Sequence, residues 1–223
     1  MITFATALFD GKDNVPKFAR GIYTPEWADK LWRGIHRWYS KPFRMVVLSS
    51  HTTSGQYDED IDVIDFLDER HDWLDQMEFY RPDLQLGQMI LLGLDTVITG
   101  PLDDLVEYAG EYIVPRDPYF PKLWCNGITG CSQSRSDMIW DRWVNHRGEI
   151  RLMCGKLSQL NWLRDNLGME PDLYDDLTPG QVVSYPCHVT GKMRDACEAR
   201  VVYFHGESKP HNATVSWVVD NWI

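Results

Sequence analysis

The stretch Met89–Leu105 constrains the fold most, because two apolar runs meet there at one carboxylate. Met89 to Leu92 is uninterrupted and apolar, and Thr96 to Thr99 is β-branched or apolar, so the backbone on both sides of Asp95 is expected to be extended and largely buried. Gly100-Pro101 stops the second run, and Leu102-Asp-Asp-Leu105 can open a short helix with its acids in the first turn. A carboxylate ending a hydrophobic strand is costly to bury alone, and a divalent cation with phosphate oxygens on its far side repays that cost well. Asp95 is therefore the first candidate metal ligand. The plainer reading of the same residue is a strand-end turn former or a helix cap.

The chain ahead of this stretch reads as β-α-β. Ile2 to Phe9 alternates as a strand, and Thr24-Pro25-Glu26 marks a helix start with an N-cap hydroxyl. Trp27, Leu31, Gly34, Ile35 and Trp38 follow at helical spacing, Ser40-Lys-Pro42 ends the helix, and Arg44 to Ser49 is a second buried strand. Such a unit predicts parallel pairing through a crossover helix. Ligands of open α/β sheets bind outside the carboxyl ends of the strands, which makes Ala7, Leu8, Phe9 and the polar loop from Ser49 to Gly55 candidate nucleotide contacts. Neither GxGxxG nor GxxxxGK[ST] is present, which disfavours an ordinary dinucleotide enzyme or P-loop NTPase. Tyr57 to Arg70, with seven acidic residues, reads as a solvated connection carrying an apolar strip. Helices are expected at Trp73–Tyr80, Ser136–Asn145 and Leu157–Leu163, and a short strand at Tyr112–Pro115. Arg116 is placed either at a diphosphate or at the edge of the pocket.

Composition narrows the class. With 223 residues the chain suits a single α/β domain spanning residues 1–223. Its net charge of −11 argues against sequence-independent nucleic-acid binding across the whole surface. Five cysteines without CxxC spacing suggest reduced thiols in a cytoplasmic protein, or in host cytoplasm if the chain is viral. No leader is expected, and no apolar run reaches the roughly 18 residues of a membrane span.

The stretch around Asp95 resembles the "DLDTVVTGPLDDL" segment of GT-A glycosyltransferases, in particular family eight, the glycogenin and bacterial galactosyltransferase group. In that family an Asp-X-Asp triplet holds the metal of a nucleotide sugar. Here the triplet is Gly93-Leu94-Asp95, so its second acid is kept and its first is glycine. Other segments follow in the family's order. Trp73 to Pro82 is similar to "WxxKLELFRP" with Gln76 for Lys, and Asn126-Gly-Ile-Thr129 is similar to the "NSGV" turn that contacts the donor sugar. Ser158-Gln159 with Leu160-Asn161 resembles "DQxxLN", whose Gln lies beneath the reacting sugar carbon in retaining members. Pro179 to Pro186 is similar to "PGxVVSYK", with Pro186 for Lys. Tyr203 to His211 resembles "HFxGxxKPW", in which His ligates the metal while Gly and Lys hold the diphosphate. Tyr203 stands at the aligned His, and His205 lies two residues on, which on a strand is the same face.

The resemblance implies a single GT-A domain, with a mixed, mostly parallel sheet flanked by helices. It implies Mn²⁺ or Mg²⁺ on Asp95 and His205, a diphosphate on Gly206 and Lys209, Asn126 on the sugar and Gln159 under the anomeric carbon. The implied reaction moves a hexose or pentose, with retention, from a nucleotide diphosphate sugar, most simply a UDP-sugar, to a hydroxyl of a glycan, a protein or a modified DNA base. Two rival readings stand beside it. One is a degenerate domain that only binds a nucleotide sugar or glycan, suggested by the departures at Gly93, Gln76, Ser158, Pro186 and Tyr203. The other is a phage-type enzyme that glycosylates hydroxylated bases of viral DNA.

Overall fold

A computed structural model describes residues 1–8, 17, 21–49, 56–67, 73–152, 158–191 and 199–223, with side chains of 147–152 left aside. Phe9, the loop at 50–55 and Leu157 therefore lie outside the described residues. Among the described residues the main sheet has seven strands, in the order β3-β2-β1-β4-β7-β6-β8. These are β1 (Ile2–Leu8), β2 (Phe43–Ser49), β3 (Asp62–Asp65), β4 (Met89–Leu92), β6 (Tyr112–Val114), β7 (Ile128–Cys131) and β8 (Asp172–Leu173). A second sheet of three strands runs β5-β10-β9, from β5 (Thr96–Ile98), β9 (Val182–Ser184) and β10 (Val201–Tyr203). The helices are α1 (Pro25–Trp38), α2 (Asp103–Val106), α3 (Gln133–Leu152), α4 (Gln159–Asn166), α5 (Tyr174–Leu177) and α6 (Ser216–Val219).

Period-two alternation divides the core between the two faces of the main sheet. Ile2, Phe4, Leu8, Met45, Val47, Ile90 and Leu92 face one cluster, which includes Trp27, Leu31 and Ile35 of α1. Ala5, Val46, Leu48, Met89 and Leu91 face the other, with Ile139 and Trp143 of α3 and Trp162 and Leu163 of α4. The small sheet shares Ile98, Val182, Val201 and Tyr203 with the first cluster and turns Val97, Val183 and Val202 into a third. Gly34 lets α1 approach this sheet, since a Cβ there would stand 3.3 Å from Ile98.

β1, β2, β3 and β4 run parallel, as the β-α-β reading predicts, whereas β7 is antiparallel to both β4 and β6. Two expectations need correcting. Val63 and Ile64 are half-buried in β3, an edge strand, so this acidic stretch is not only a solvated connection; Arg44 Nε pins the strand's start by donating to Asp62 Oδ2 at 2.6 Å. The helix expected at Trp73–Tyr80 is present over those residues, as a 3-10 helix. Thr24 is the N-cap of α1, but its side chain makes no capping hydrogen bond.

Candidate active site

Asp95 lies where the chain leaves one sheet for the other, between β4 and β5. Strand register explains why distant residues meet there. Leu92 pairs with Ile128 on antiparallel β7, so the residues after Leu92 run beside those just before Ile128, and Asn126 is brought to Gly93 and Asp95. Ala5 pairs with Leu91 on parallel β1, which sets Ala7 level with Gly93. Tyr203 pairs with Thr96 on antiparallel β10, so His205 emerges level with Leu94. α4 begins at Gln159, with Ser158 as its N-cap accepting from the Asn161 amide.

The result is a cavity of about 410 Å³ outside the ends of these strands, lined by Ala7, Asp95, Asn126, Gln159, Tyr203 and His205 among others. Its size falls within the range usual for small-molecule sites. Asn126 Nδ2 donates to Gln159 Oε1 at 2.8 Å, and this bond fixes the orientation of a glutamine amide that is almost fully buried. His205 Nε2 hydrogen-bonds Ser184 Oγ at 2.7 Å, and Tyr119 meets the imidazole edge-on at 5.3 Å. Burial holds the His205 pKa below its ordinary value, which favours the neutral ring.

Asp95 Oδ2 accepts from Lys209 Nζ at 2.7 Å and from Tyr23 Oη at 3.0 Å. Burial, with the Asp95 charge second, raises the Tyr23 pKa, so that hydroxyl remains a donor. The second acidic lining residue, Asp117, accepts from Arg164 Nη2 at 2.8 Å. No Lys or Arg is among the described lining residues, and each lining carboxylate takes its counter-charge from a cation in the wall.

The expected residues divide as follows. Asp95, Asn126, Gln159, His205 and Ala7 share the cavity. The Leu8 side chain is turned into the core, as alternation along β1 requires, and is not among the lining. Gly206 stands in the left-handed region at φ 64°, outside the lining, and Lys209 is bonded to Asp95. Arg116 donates to Asp176 and to the Pro121 carbonyl, away from the cavity, while its neighbour Asp117 lines it. Tyr23, Ser184 and Tyr119 were not singled out. Tyr23 reaches Asp95 across 72 residues, a pairing without a local sequence signal.

The Mn²⁺ or Mg²⁺ expected on Asp95 and His205 finds a donor set that does not fit it. Among the described residues no group of three or more His, Cys, Asp or Glu side chains is placed to hold a metal ion. Hard divalent cations are bound through several oxygens. Of the two residues expected to hold the ion, Asp95 is the one that offers oxygen, and its carboxylate already carries an ammonium group.

No protein-family model matches the chain, and neither does any curated protein. Solved structures do. A crystal structure of the galactosyltransferase LgtC, in complex with donor and acceptor sugar analogs, matches with a TM-score of 0.66 at 11% identity, over 99% of this chain and 94% of LgtC. The glycosyltransferase GlyE of Streptococcus pneumoniae TIGR4 matches with a TM-score of 0.67 at 12% identity, over the whole of this chain and 61% of GlyE. The bifunctional glycosyltransferase WbbM matches with a TM-score of 0.58 at 11% identity, over 99% of this chain and 48% of WbbM. The shared architecture is the mixed α/β sheet with its flanking helices, and the chain has the GT-A glycosyltransferase fold.

Proposed function

We propose that the chain is a glycosyltransferase that moves a sugar from a nucleotide diphosphate sugar to an acceptor hydroxyl, with retention at the anomeric carbon. The observation that carries this reading is the convergence of Asp95, Asn126, Gln159 and His205 on one cavity at the strand ends of a GT-A fold. Four segments scattered over about half the chain supply them, and core packing alone gives no reason to gather so many polar groups there. In this reading Asn126 holds the sugar, and its bond to Gln159 presents the glutamine oxygen to the anomeric carbon. Ala7 and the strand end beside it flank the nucleoside, and the exposed Tyr119 and Trp73 stand at the rim, where an acceptor enters.

A panel of nucleotide sugars, beginning with UDP-sugars, tests the proposal by thermal shift, because a ligand that binds only the folded state raises the melting temperature. Release of nucleoside diphosphate in the presence of sugar, peptide or hydroxylated-base acceptors then tests turnover. A donor that binds and releases its sugar supports the transferase. A donor that binds and is never consumed supports the binding-only domain, which the glycine at Gly93 already favours to a degree. Gln159→Ala should leave the donor Kd within about twofold and lower kcat, since a group acting on the reacting carbon contributes mainly in the transition state.

A further inference from the structure

We propose that the Lys209 ammonium takes the place of a divalent cation at this site, so that donor binding and sugar transfer proceed without a metal ion. The inference rests on the transferase reading above and adds to it how the diphosphate's charge is handled.

Charge balance carries the argument. A site with two carboxylates side by side calls for a dication. Gly93 leaves the triplet with Asp95 alone, while the other lining acid, Asp117, is paired with Arg164; a Cβ on Gly93 would stand 2.9 Å from Asp95 Oδ1, so the carboxylate has turned into the space a second acid's stem would fill. One negative charge is balanced by one ammonium, and Lys209 supplies it at 2.7 Å. The pair is well sheltered, with side-chain exposures of 5% for Lys209 and 13% for Asp95, which strengthens its electrostatics relative to a surface pair.

Lys209 is also held in position. Its backbone N–H donates to Asn212 Oδ1 at 2.8 Å, its ammonium lies 5.8 Å from the centre of the Tyr23 ring, and Gly206 turns the chain ahead of it. The other cation in the wall, Arg164, is tied to Asp117 and to the Trp124 carbonyl and lies 5.8 Å from the Trp124 ring. Each of these cations is one hydrogen bond from a lining carboxylate, but Arg164 is also tied to the Trp124 carbonyl, whereas the Lys209 ammonium, on a flexible stem, meets the acid of the Gly93-Leu94-Asp95 triplet.

The chemistry balances without an ion. The bond between the anomeric carbon and the diphosphate oxygen breaks, and its electron pair stays on that oxygen. The ammonium, shared between Asp95 and the phosphate, stabilises the added charge as it develops. The acceptor oxygen bonds to the anomeric carbon, and its proton passes to the released diphosphate.

The test uses the full-length chain and calorimetric titration with UDP, GDP, CDP and ADP, in excess EDTA and again with Mn²⁺. The expected result is that at least one diphosphate binds in EDTA and gains less than about threefold from Mn²⁺. Lys209→Met should then weaken it roughly 10- to 100-fold, as for loss of a charge-assisted hydrogen bond, and Lys209→Arg should recover part of that. Paramagnetic titration of Mn²⁺ with the unliganded protein should show no binding. Should Lys209→Met fail to fold, the charge-neutral pair Asp95→Asn/Lys209→Met takes its place, with the same loss expected in EDTA. Binding that requires Mn²⁺, or that is unchanged in both lysine variants in EDTA, overturns the inference and leaves the transferase reading standing. Absence of binding by any diphosphate under either condition overturns both.

Discussion

Two residues set the ionic character of the cavity, and each predicts something measurable. Lys209 and Asp95 are a sheltered pair, and removing one partner of such a pair leaves a charge without compensation. Lys209→Met should cost about 3 kcal/mol in urea denaturation, and adding Asp95→Asn should restore most of it. Equal stability of the single and double variants would show that the charge of Asp95 is balanced elsewhere. His205 and His188 both meet Ser184: His205 through the serine hydroxyl, His188 by accepting the Ser184 N–H at 3.0 Å. Burial lowers both imidazole pKa values, so on acidification the unfolded chain takes up protons before the folded one. Their stabilising effect is complete above the unfolded value of about 6.5 and is lost as pH falls from there through the folded values. The urea midpoint should decline below about pH 6.5, and His205→Asn should make that decline shallower by removing one of the two linked protons. An identical slope in the variant would mean that His205 is not linked to folding in this range.

At the scale of elements, β7 controls the shape of the cavity through a glycine just before it. A Cβ on Gly127 would come within 2.6 Å of the Tyr203 ring, which is 4% exposed and lines the cavity. Gly127→Ala should therefore displace Tyr203, cost about 1–3 kcal/mol by overpacking, and weaken donor binding. Thermal unfolding and the donor titration check both parts, and a variant with unaltered melting and binding would show that the ring has room to yield. The strands and helices were readable where periodicity was strong: β1, β2, β4 and α1 follow from alternation and from the spacing of Trp27, Leu31 and Ile35. What was not readable is that Met89–Leu92 and Thr96–Ile98, separated by three residues in sequence and both extended and apolar or β-branched, belong to different sheets. Nothing local distinguishes a strand that continues a sheet from one that leaves it, because the choice is made by partners, here β1 and β7 for one and β10 for the other. The same reason explains Asp95. Its position at the strand end could be read from the sequence, whereas its bonds to Tyr23 and Lys209 come from residues 72 and 114 positions away.

Over the whole molecule the charge is −11, and the cavity does nothing to offset it locally. Its described lining includes Asp95 and Asp117 and no Lys or Arg, and the cations that balance those acids, Lys209 and Arg164, lie in the wall and do not face outward. A protein that follows a nucleic-acid backbone needs cations facing outward along a groove, because affinity grows with the number of phosphates neutralised and falls with salt accordingly. Among the described lining residues, the exposed large side chains are aromatic: Tyr119 is 63% and Trp73 44% exposed. Aromatic faces beside a polar floor suit a flat or ring-shaped acceptor better than a polyanion. The viral-DNA reading therefore predicts a salt-sensitive mobility shift of duplex DNA at micromolar protein, and the charge distribution predicts that none occurs even at low ionic strength. Band retardation that weakens steeply as salt is raised would restore that reading, because such a slope counts phosphate contacts directly and would require a basic surface apart from this cavity.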